Sequence, residues 1–404
     1  MASALTFNMR LLAHHELQGF GGIGEGMALQ QTRNGRRILW LAHEAAPKNF
    51  TGVDVTDPRA PRVIVQTDLP HAKMRSNSLD VTGDVMAVAY QTSETGLKPA
   101  GFDLFDIADP ENPQRISHFD ASGAHSRGVH QVWFVDGEFV HMSGGAPDFQ
   151  PRHPEDDQIY RIVDVRNPAK PVDAGRWWLP GTREGDAVPA PARLDERIAT
   201  GFRVHNTNVF PERPDRAYVG YIDGGAVILD IADKARPKVV GQWNHSPPFN
   251  GFTHTVLPLF GRELLIVSDE CVRDDGIDWP RLVWVVDGRN ERNPVPISTF
   301  PMPFDAFVHR GGRFGAHNLH ENLPVPGSWK SESIIVGTFF NGGVRAFDVS
   351  NPYQPQEVAY FVPGAPKLSP AGAIQLNDVY VDDRGLVFTV DRFAGGLYAL
   401  EMTI

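Results

Sequence analysis

Residues 160–171 read Tyr-Arg-Ile-Val-Asp-Val-Arg-Asn-Pro-Ala-Lys-Pro, an apolar run followed by an acidic turn. The pattern Asp-x-x-[Asp/Asn]-x-x-x-Pro after an apolar run recurs six times, with first Asp residues roughly 50–65 positions apart. The six copies begin at Asp54, Asp106, Asp164, Asp230, Asp287 and Asp348. A seventh copy, at 396–401, stops before its turn. Self-similarity at this period is typical of a repeat architecture.

Within each unit, short β-branched and aromatic runs alternate with Gly, Pro and Asp turns, which predicts four strands per unit. Seven units predict an all-β fold, a seven-bladed β-propeller with four antiparallel strands per blade, as one domain over residues 1–404. The last unit lacks its outer strand, and we expect Thr6–Leu12 at the N-terminus to supply it. The repeated Asp and Asn residues are interpreted as structural, because their side chains accept backbone N–H bonds in such turns.

Composition excludes several classes of protein. The 39 Gly and 33 Pro residues are spread along the chain, which argues against a helix-rich fold. The net charge of −11 offers no general basic surface, so we expect neither nucleic acid nor a membrane as partner. The only cysteine, Cys271, cannot form an internal disulfide, and the first ten residues do not resemble a signal peptide. A cytoplasmic location is therefore expected.

The repeated units resemble those of LVIVD-repeat proteins, in which an apolar-Ile-Val-Asp run precedes an Asp-Pro-x-x-Pro turn. Residues 160–171 carry the clearest match, and the resemblance extends over nearly the whole chain. It implies a propeller. It implies little about activity, because propellers carry many unrelated functions.

Four consecutive units place a histidine at the same position of the first strand, namely His130, His205, His254 and His317. The other three units have Ser78, Asn377 and a Gly-rich stretch around Gly24 and Gly26. The first strands of a propeller line its central channel, so side chains at the same position of each first strand converge on the axis. A lone strand histidine usually serves a structural hydrogen bond, but four at one register indicate a metal site. Imidazole suits Fe, Cu, Zn and Ni, and the four histidines are predicted to hold one divalent transition metal.

The ends of the second strands bring further polar residues to the channel mouth, among them Glu44, Glu270 and Asp391. We expect Glu44, Asp391 and His320 to handle substrate or protons, as catalytic residues. His320 aligns with Asn208 rather than with the four-histidine register, so a fifth-ligand role and a structural role stay open for it. Long insertions at 145–157, 179–200 and 272–280 are predicted on the same face.

The four-histidine constellation resembles the non-haem iron site of carotenoid-cleavage oxygenases and, more distantly, the site of selenium-binding-protein-type thiol oxidases. The resemblance implies Fe(II), with Mn, Zn and Cu as alternatives, and dioxygen as a candidate co-substrate. It implies a metal-dependent oxidoreductase of the oxygenase type that acts on a small organic molecule at the channel mouth. The LVIVD-type repeats and compact loops argue against a long isoprenoid substrate. Two alternatives are a lyase or hydrolase that uses the ion as a Lewis acid, and a non-catalytic interaction scaffold.

Overall fold

Seven antiparallel sheets follow one another along the chain, and each forms one blade of a β-propeller. The computed structural model describes residues 4–193 and 199–404, so part of the predicted 179–200 insertion lies outside the described residues. The expected all-β propeller with seven blades is confirmed. In the described ranges the one α-helix is the single turn Phe304–Phe307.

Within each blade the strands follow one another from the channel outward. Blade 1 contains Ile23–Gln31, Arg37–His43, Lys48–Asp54 and Arg62–Asp68. Blade 2 contains Leu79–Thr82, Val85–Thr92, Gly101–Asp106 and Gln114–Asp120, with Met74–Arg75 also paired to its second strand. Blade 3 contains Val129–Trp133, Phe139–Gly144, Ile159–Asp164 and Val172–Trp177. Blade 4 contains Val204–Phe210, Arg213–Tyr221, Gly225–Asp230 and Lys238–Trp243.

Blade 5 contains Thr253–Leu259, Leu264–Asp269, Val283–Asp287 and Val295–Thr299. Blade 6 contains Ile334–Thr338, Val344–Asp348 and Gln356–Val362, and its inner segment is attached through the Leu319–Gly337 bridge. Blade 7 contains Leu376–Val381, Leu386–Asp391, Leu397–Met402 and Met9–His15. The remaining short elements are the paired strands Ser122–Gly123 and Ser126–Arg127, and the 3₁₀ turns Leu17–Gly19, Pro154–Asp156, Ile222–Gly224, Phe260–Arg262 and Asp274–Gly276.

The N-terminal segment closes the ring, as expected, but with different bounds. Met9–His15 pairs antiparallel with Leu397–Met402 and forms the outer strand of blade 7. The preceding residues Leu5–Phe7 pair instead with Gln356–Val362 of blade 6. Asn8, with φ 48°, lies between the two strands, and this left-handed conformation breaks the extended chain as it passes from one blade to the next. The N-terminus therefore ties two blades together.

The six repeated Asp residues build turns, which confirms their structural interpretation. Each accepts a hydrogen bond from the backbone N–H two residues later, as in Asp106 to Ala108 at 2.9 Å and Asp348 to Ser350 at 2.7 Å. The other four bonds are those of Asp54, Asp164, Asp230 and Asp287. Because this bond is local, the turn forms wherever the motif occurs.

Packing between blades explains the apolar runs of the second and third strands. Leu265, Ile266 and Val267 are all at most 4% exposed, since both faces of the strand lie against neighbouring blades. Outer strands such as Arg62–Asp68 are half-buried or exposed. For residues 4–193 and 199–404, no helix has the length and apolar character needed to cross a bilayer. Buried polar residues on the innermost strands stand out against this background and mark the candidate site.

Candidate metal centre

A β-bulge lies on the channel strand of five blades, and in blades 3, 4 and 5 it contains a predicted ligand histidine. In blade 3 the pairing steps from Val129–Gly144 to Gln131–Ser143, which leaves His130 as the extra residue. The same irregularity occurs at 23–27, 204–207, 253–255 and 376–378. A bulge changes the direction in which a side chain points. In blades 3, 4 and 5 the bulge therefore allows the strand to present its histidine to the channel while the neighbouring residues continue the sheet.

The structure brings the four predicted histidines together through their Nε2 atoms. The Nε2 atoms of His130 and His205 are 3.0 Å apart. The ring of His254 lies 3.8 Å from that of His205 and 4.9 Å from that of His317, measured between centroids. All four residues are at most 8% exposed. One buried cluster therefore contains the whole four-histidine register.

Glu25, which the sequence reasoning missed, lies among the four imidazoles. Its carboxylate oxygens are 3.5–3.7 Å from the Nε2 atoms of all four histidines, and its side chain is 7% exposed. Gly24 and Gly26 flank it because a Cβ at either position would clash with the backbone of blade 2, at Asn77 and at Leu79 respectively. The Gly-Glu-Gly triplet at the channel register of blade 1 was the sequence signal for this residue.

Glu270 is a second carboxylate of the cluster. Its oxygens lie 3.8 Å from His205 Nε2 and 3.7 Å from His317 Nε2, and Arg313 donates to it at 3.1 Å. Ligand atoms of Glu25, His205, His254 and Glu270 all lie within 4.8 Å of one another. The sequence had placed Glu270 only at the mouth of the channel. The donor set is thus four imidazoles with two carboxylates beside them.

Hydrogen bonds at Nδ1 determine the tautomer of the histidines. The Asn206 amide donates from Nδ2 to Glu321 at 2.8 Å, so its Oδ1 faces His205 Nδ1 at 2.9 Å and accepts that N–H. Gln91 Oε1 accepts from the Arg75 guanidinium and from His130 Nδ1 at 3.0 Å. Such partners orient the ring and leave Nε2 as an unprotonated ligand.

The other two rings are held in the same way. His317 Nδ1 donates to the carbonyl oxygen of Asn377 at 2.6 Å. His254 Nδ1 lies 2.7 Å from the hydroxyl of Thr255. All four Nδ1 atoms therefore have a hydrogen-bond partner, and the four Nε2 atoms face the common centre.

Burial sets the charge of these groups. It lowers the pKa of His130 well below its usual value, that of His205 to about 3 and that of His254 to about 4, because an imidazolium would lose its hydration. Neutral imidazole is the form in which histidine binds a metal.

The residues fit a divalent transition metal. His254 Nε2, His317 Nε2 and Glu25 Oε2 are buried without a hydrogen-bond partner. A cation held between these two nitrogens and the carboxylate oxygen would satisfy all three atoms. The 3.0 Å separation of His130 Nε2 and His205 Nε2 is short enough for both nitrogens to bind one ion about 2.1 Å away. A buried group of histidines and glutamates can therefore hold a metal ion here.

The three predicted catalytic residues are placed differently. Glu44 pairs with Arg392 at the mouth and lies 3.6 Å from Arg75. Asp391 accepts backbone N–H bonds from residues 375, 393, 394 and 395, so it holds a turn. Both ring nitrogens of His320 bond to the backbone, at Val381 and Trp329. The structure does not bring His320 or Asp391 into the cluster.

Comparison with known proteins addresses the fold and the repeat. No curated protein matched the chain. The β-propeller domain of Cps50 (Swd1) from Myceliophteria thermophila is similar in structure, with a TM-score of 0.53 and 14% identity over 93% of this chain and 96% of that one. This likeness concerns the fold alone. Residues 215–245, in blade 4, match the LVIVD repeat model. The protein is thus a seven-bladed β-propeller that contains an LVIVD repeat, as its sequence resemblance implied.

Proposed function

We propose that this protein is a metal-dependent oxidoreductase of the oxygenase type. In this proposal His130, His205, His254 and His317 hold one Fe(II) ion through Nε2, and a small organic molecule reacts at the channel mouth with dioxygen as oxidant. The observation that supports it is the convergence of four histidine Nε2 atoms on the buried Glu25 carboxylate. A cytoplasmic location is part of the proposal.

The donor types favour a redox-active ion over a purely structural one. Imidazole suits Fe, Cu and Zn, whereas carboxylate adds the harder oxygen donor that Fe and Mn accept. An ion bound there would supply electron transfer and dioxygen activation. Structural zinc sites, in contrast, are commonly closed and rich in cysteine, and the single cysteine of this chain, Cys271, bonds to Arg273 and Asp278 instead.

The residues of the chain have separate roles in this proposal. Gln91 and Asn206 fix the ligand rings, and Glu25 offsets the charge of the ion. Phe340 stacks on His317 with centroids 4.7 Å apart and shields that ring from water. Glu270 lines the mouth cavity and is assigned the proton transfers there. Glu44 orients Arg392 rather than contacting the reacting atoms.

Metal analysis of untagged protein tests the proposal. After anaerobic reconstitution with Fe(II), we expect about one ion per chain and substrate-dependent oxygen consumption with small organic molecules. Alanine substitution of His130, His205, His254 or His317 should lower bound metal and abolish oxygen consumption. His118→Ala is the matched control, because its ring pairs with Asp103 in blade 2, away from the cluster.

The alternatives give different outcomes. If turnover continues without oxygen, the protein is not an oxygenase. A lyase or hydrolase that uses the ion as a Lewis acid would then be the better interpretation. If the reconstituted protein binds far less than one metal ion per chain, both metal-dependent functions are excluded. The non-catalytic interaction scaffold is then the remaining alternative. Equal loss of metal from His118→Ala and His254→Ala would contradict the four-histidine site.

A further inference from the structure

Arginines are concentrated at the mouth of the channel, although the chain as a whole carries a net charge of −11. A cavity of about 290 Å³ opens beside the histidine cluster and touches Glu25, His130, His205 and Glu270. Six arginines line it, namely Arg75, Arg127, Arg203, Arg273, Arg313 and Arg392. Glu25 and Glu270 are the two carboxylates among the described lining residues. The local charge is thus opposite in sign to that of the whole protein.

Three of the six arginines lie close before a ligand histidine in the sequence. Arg127, Arg203 and Arg313 stand two to four residues before a ligand histidine, at the entrance to the innermost strand of their blades. Arg75 belongs to a short strand of blade 2, and Arg392 follows the second strand of blade 7. Three of the chain segments that bring a histidine to the cluster therefore also bring an arginine to its mouth.

Carboxylates lie beside four of these arginines. Arg313 pairs with Glu270 at 3.1 Å, and Arg75 lies 3.6 Å from Glu44. Arg127 is held by Asp157 through two bonds of 2.7 and 2.9 Å, and Arg392 pairs with Glu44. The Nε atom of Arg203 and an Nη atom of Arg392 are nevertheless buried without a hydrogen-bond partner. Buried unpaired donors are unfavourable, and a bound anion with several oxygens would relieve them.

We infer that the substrate of this site is a small organic anion, bound through a carboxylate or phosphate group by Arg203, Arg392 and their neighbours. Guanidinium groups recognise these planar or tetrahedral oxyanions with paired hydrogen bonds. The cavity is at the lower end of the usual ~300–1,000 Å³ for ligand pockets, so it suits a small molecule. An anion bound there has its other end beside His130 and His205. The reaction of this anion depends on the proposed function, whereas its binding to the arginines does not.

Calorimetry with named probes tests this inference. Inorganic phosphate, succinate and benzoate are titrated into metal-free and metal-loaded protein, with succinamide and benzamide as neutral counterparts. We expect at least one anion to bind the metal-free protein at one site, with a dissociation constant below about 1 mM, and the neutral compounds not to bind. Arg203→Gln and Arg392→Gln should each weaken that binding about 10-fold or more.

The control and the outcomes separate the two proposals. Arg236→Gln changes an exposed guanidinium on an outer turn and should leave the affinity unchanged. If Arg203→Gln does not fold, Arg75→Gln, whose side chain is 32% exposed, replaces it. Anion binding without metal binding would support the substrate class and contradict the oxygenase. Metal binding with no anion bound below about 10 mM, or equal binding of the amides, would overturn the inference.

Discussion

Glu25→Gln separates the proposed role of Glu25 in metal binding from a role in the fold. The substitution keeps the size of the side chain and removes its charge. Each of the four Nε2 atoms lies 3.5–3.7 Å from a Glu25 oxygen, so a cation held by those nitrogens experiences the carboxylate at comparable range. In the metal-free protein the same carboxylate is a buried charge, which is costly. The variant should therefore lose metal affinity without losing metal-free stability.

The magnitude follows from these distances. A unit charge about 4 Å from a divalent ion contributes about 8 kcal/mol at an effective dielectric constant of 20. In the variant, water entry and rearrangement of the site offset much of this lost energy. Removal of partners around a metal commonly lowers the metal affinity 10- to 100-fold. We expect a loss of at least about 100-fold, or about 2.7 kcal/mol. For a chain of 404 residues this corresponds to about 3 °C in the melting temperature of the metal-loaded form.

The assay measures metal affinity by competition with a chelator, and melting temperature with and without metal. Wild-type protein should gain more stability from the metal than Glu25→Gln does, while the metal-free variant melts at or above the wild-type temperature. Glu401→Gln is the control, because Glu401 pairs with Arg10 at the outer edge of blade 7. Metal affinity within threefold of wild type in Glu25→Gln would refute the reasoning. A lower metal-free melting temperature would show that Glu25 acts in the fold instead.

Three further predictions follow from other parts of the molecule. Deleting residues 1–15 removes Met9–His15 and exposes the edge of blade 7, so the melting temperature should fall by at least about 5 °C; an unchanged value would contradict ring closure. Burial raises the pKa of Glu321 to about 7, so its contribution to stability is present below about pH 4.5 and lost as the pH rises through 7. Between pH 4 and pH 8 the melting temperature of metal-free Glu321→Gln should therefore gain up to about 4 °C over that of the wild type. Fluorescence anisotropy and vesicle sedimentation should find no micromolar binding of DNA, RNA or anionic vesicles at physiological salt, because the net charge is −11.

Local chemistry made the architecture and the histidine register predictable from the sequence. The turn at Asp106 needs only the backbone N–H two residues away, so its motif has the same meaning in each repeat. Because each repeat is one blade, counting the motifs counted the blades. His130, His205, His254 and His317 could be aligned on those turns without knowing any contact between blades.

The tertiary structure decided which other groups join the histidines. Glu25 reaches them because a bulge of two extra residues and two glycines let its strand lie against the backbone of blade 2. Its position therefore depends on a neighbouring blade, and no period in the sequence reports such a contact. The same holds for His320, whose place in the sequence resembles that of a site residue but whose ring nitrogens bond to blade 7 and to a loop. Sequence periodicity specifies what each blade repeats, whereas the direction of a buried polar side chain depends on the partners that adjacent blades offer it.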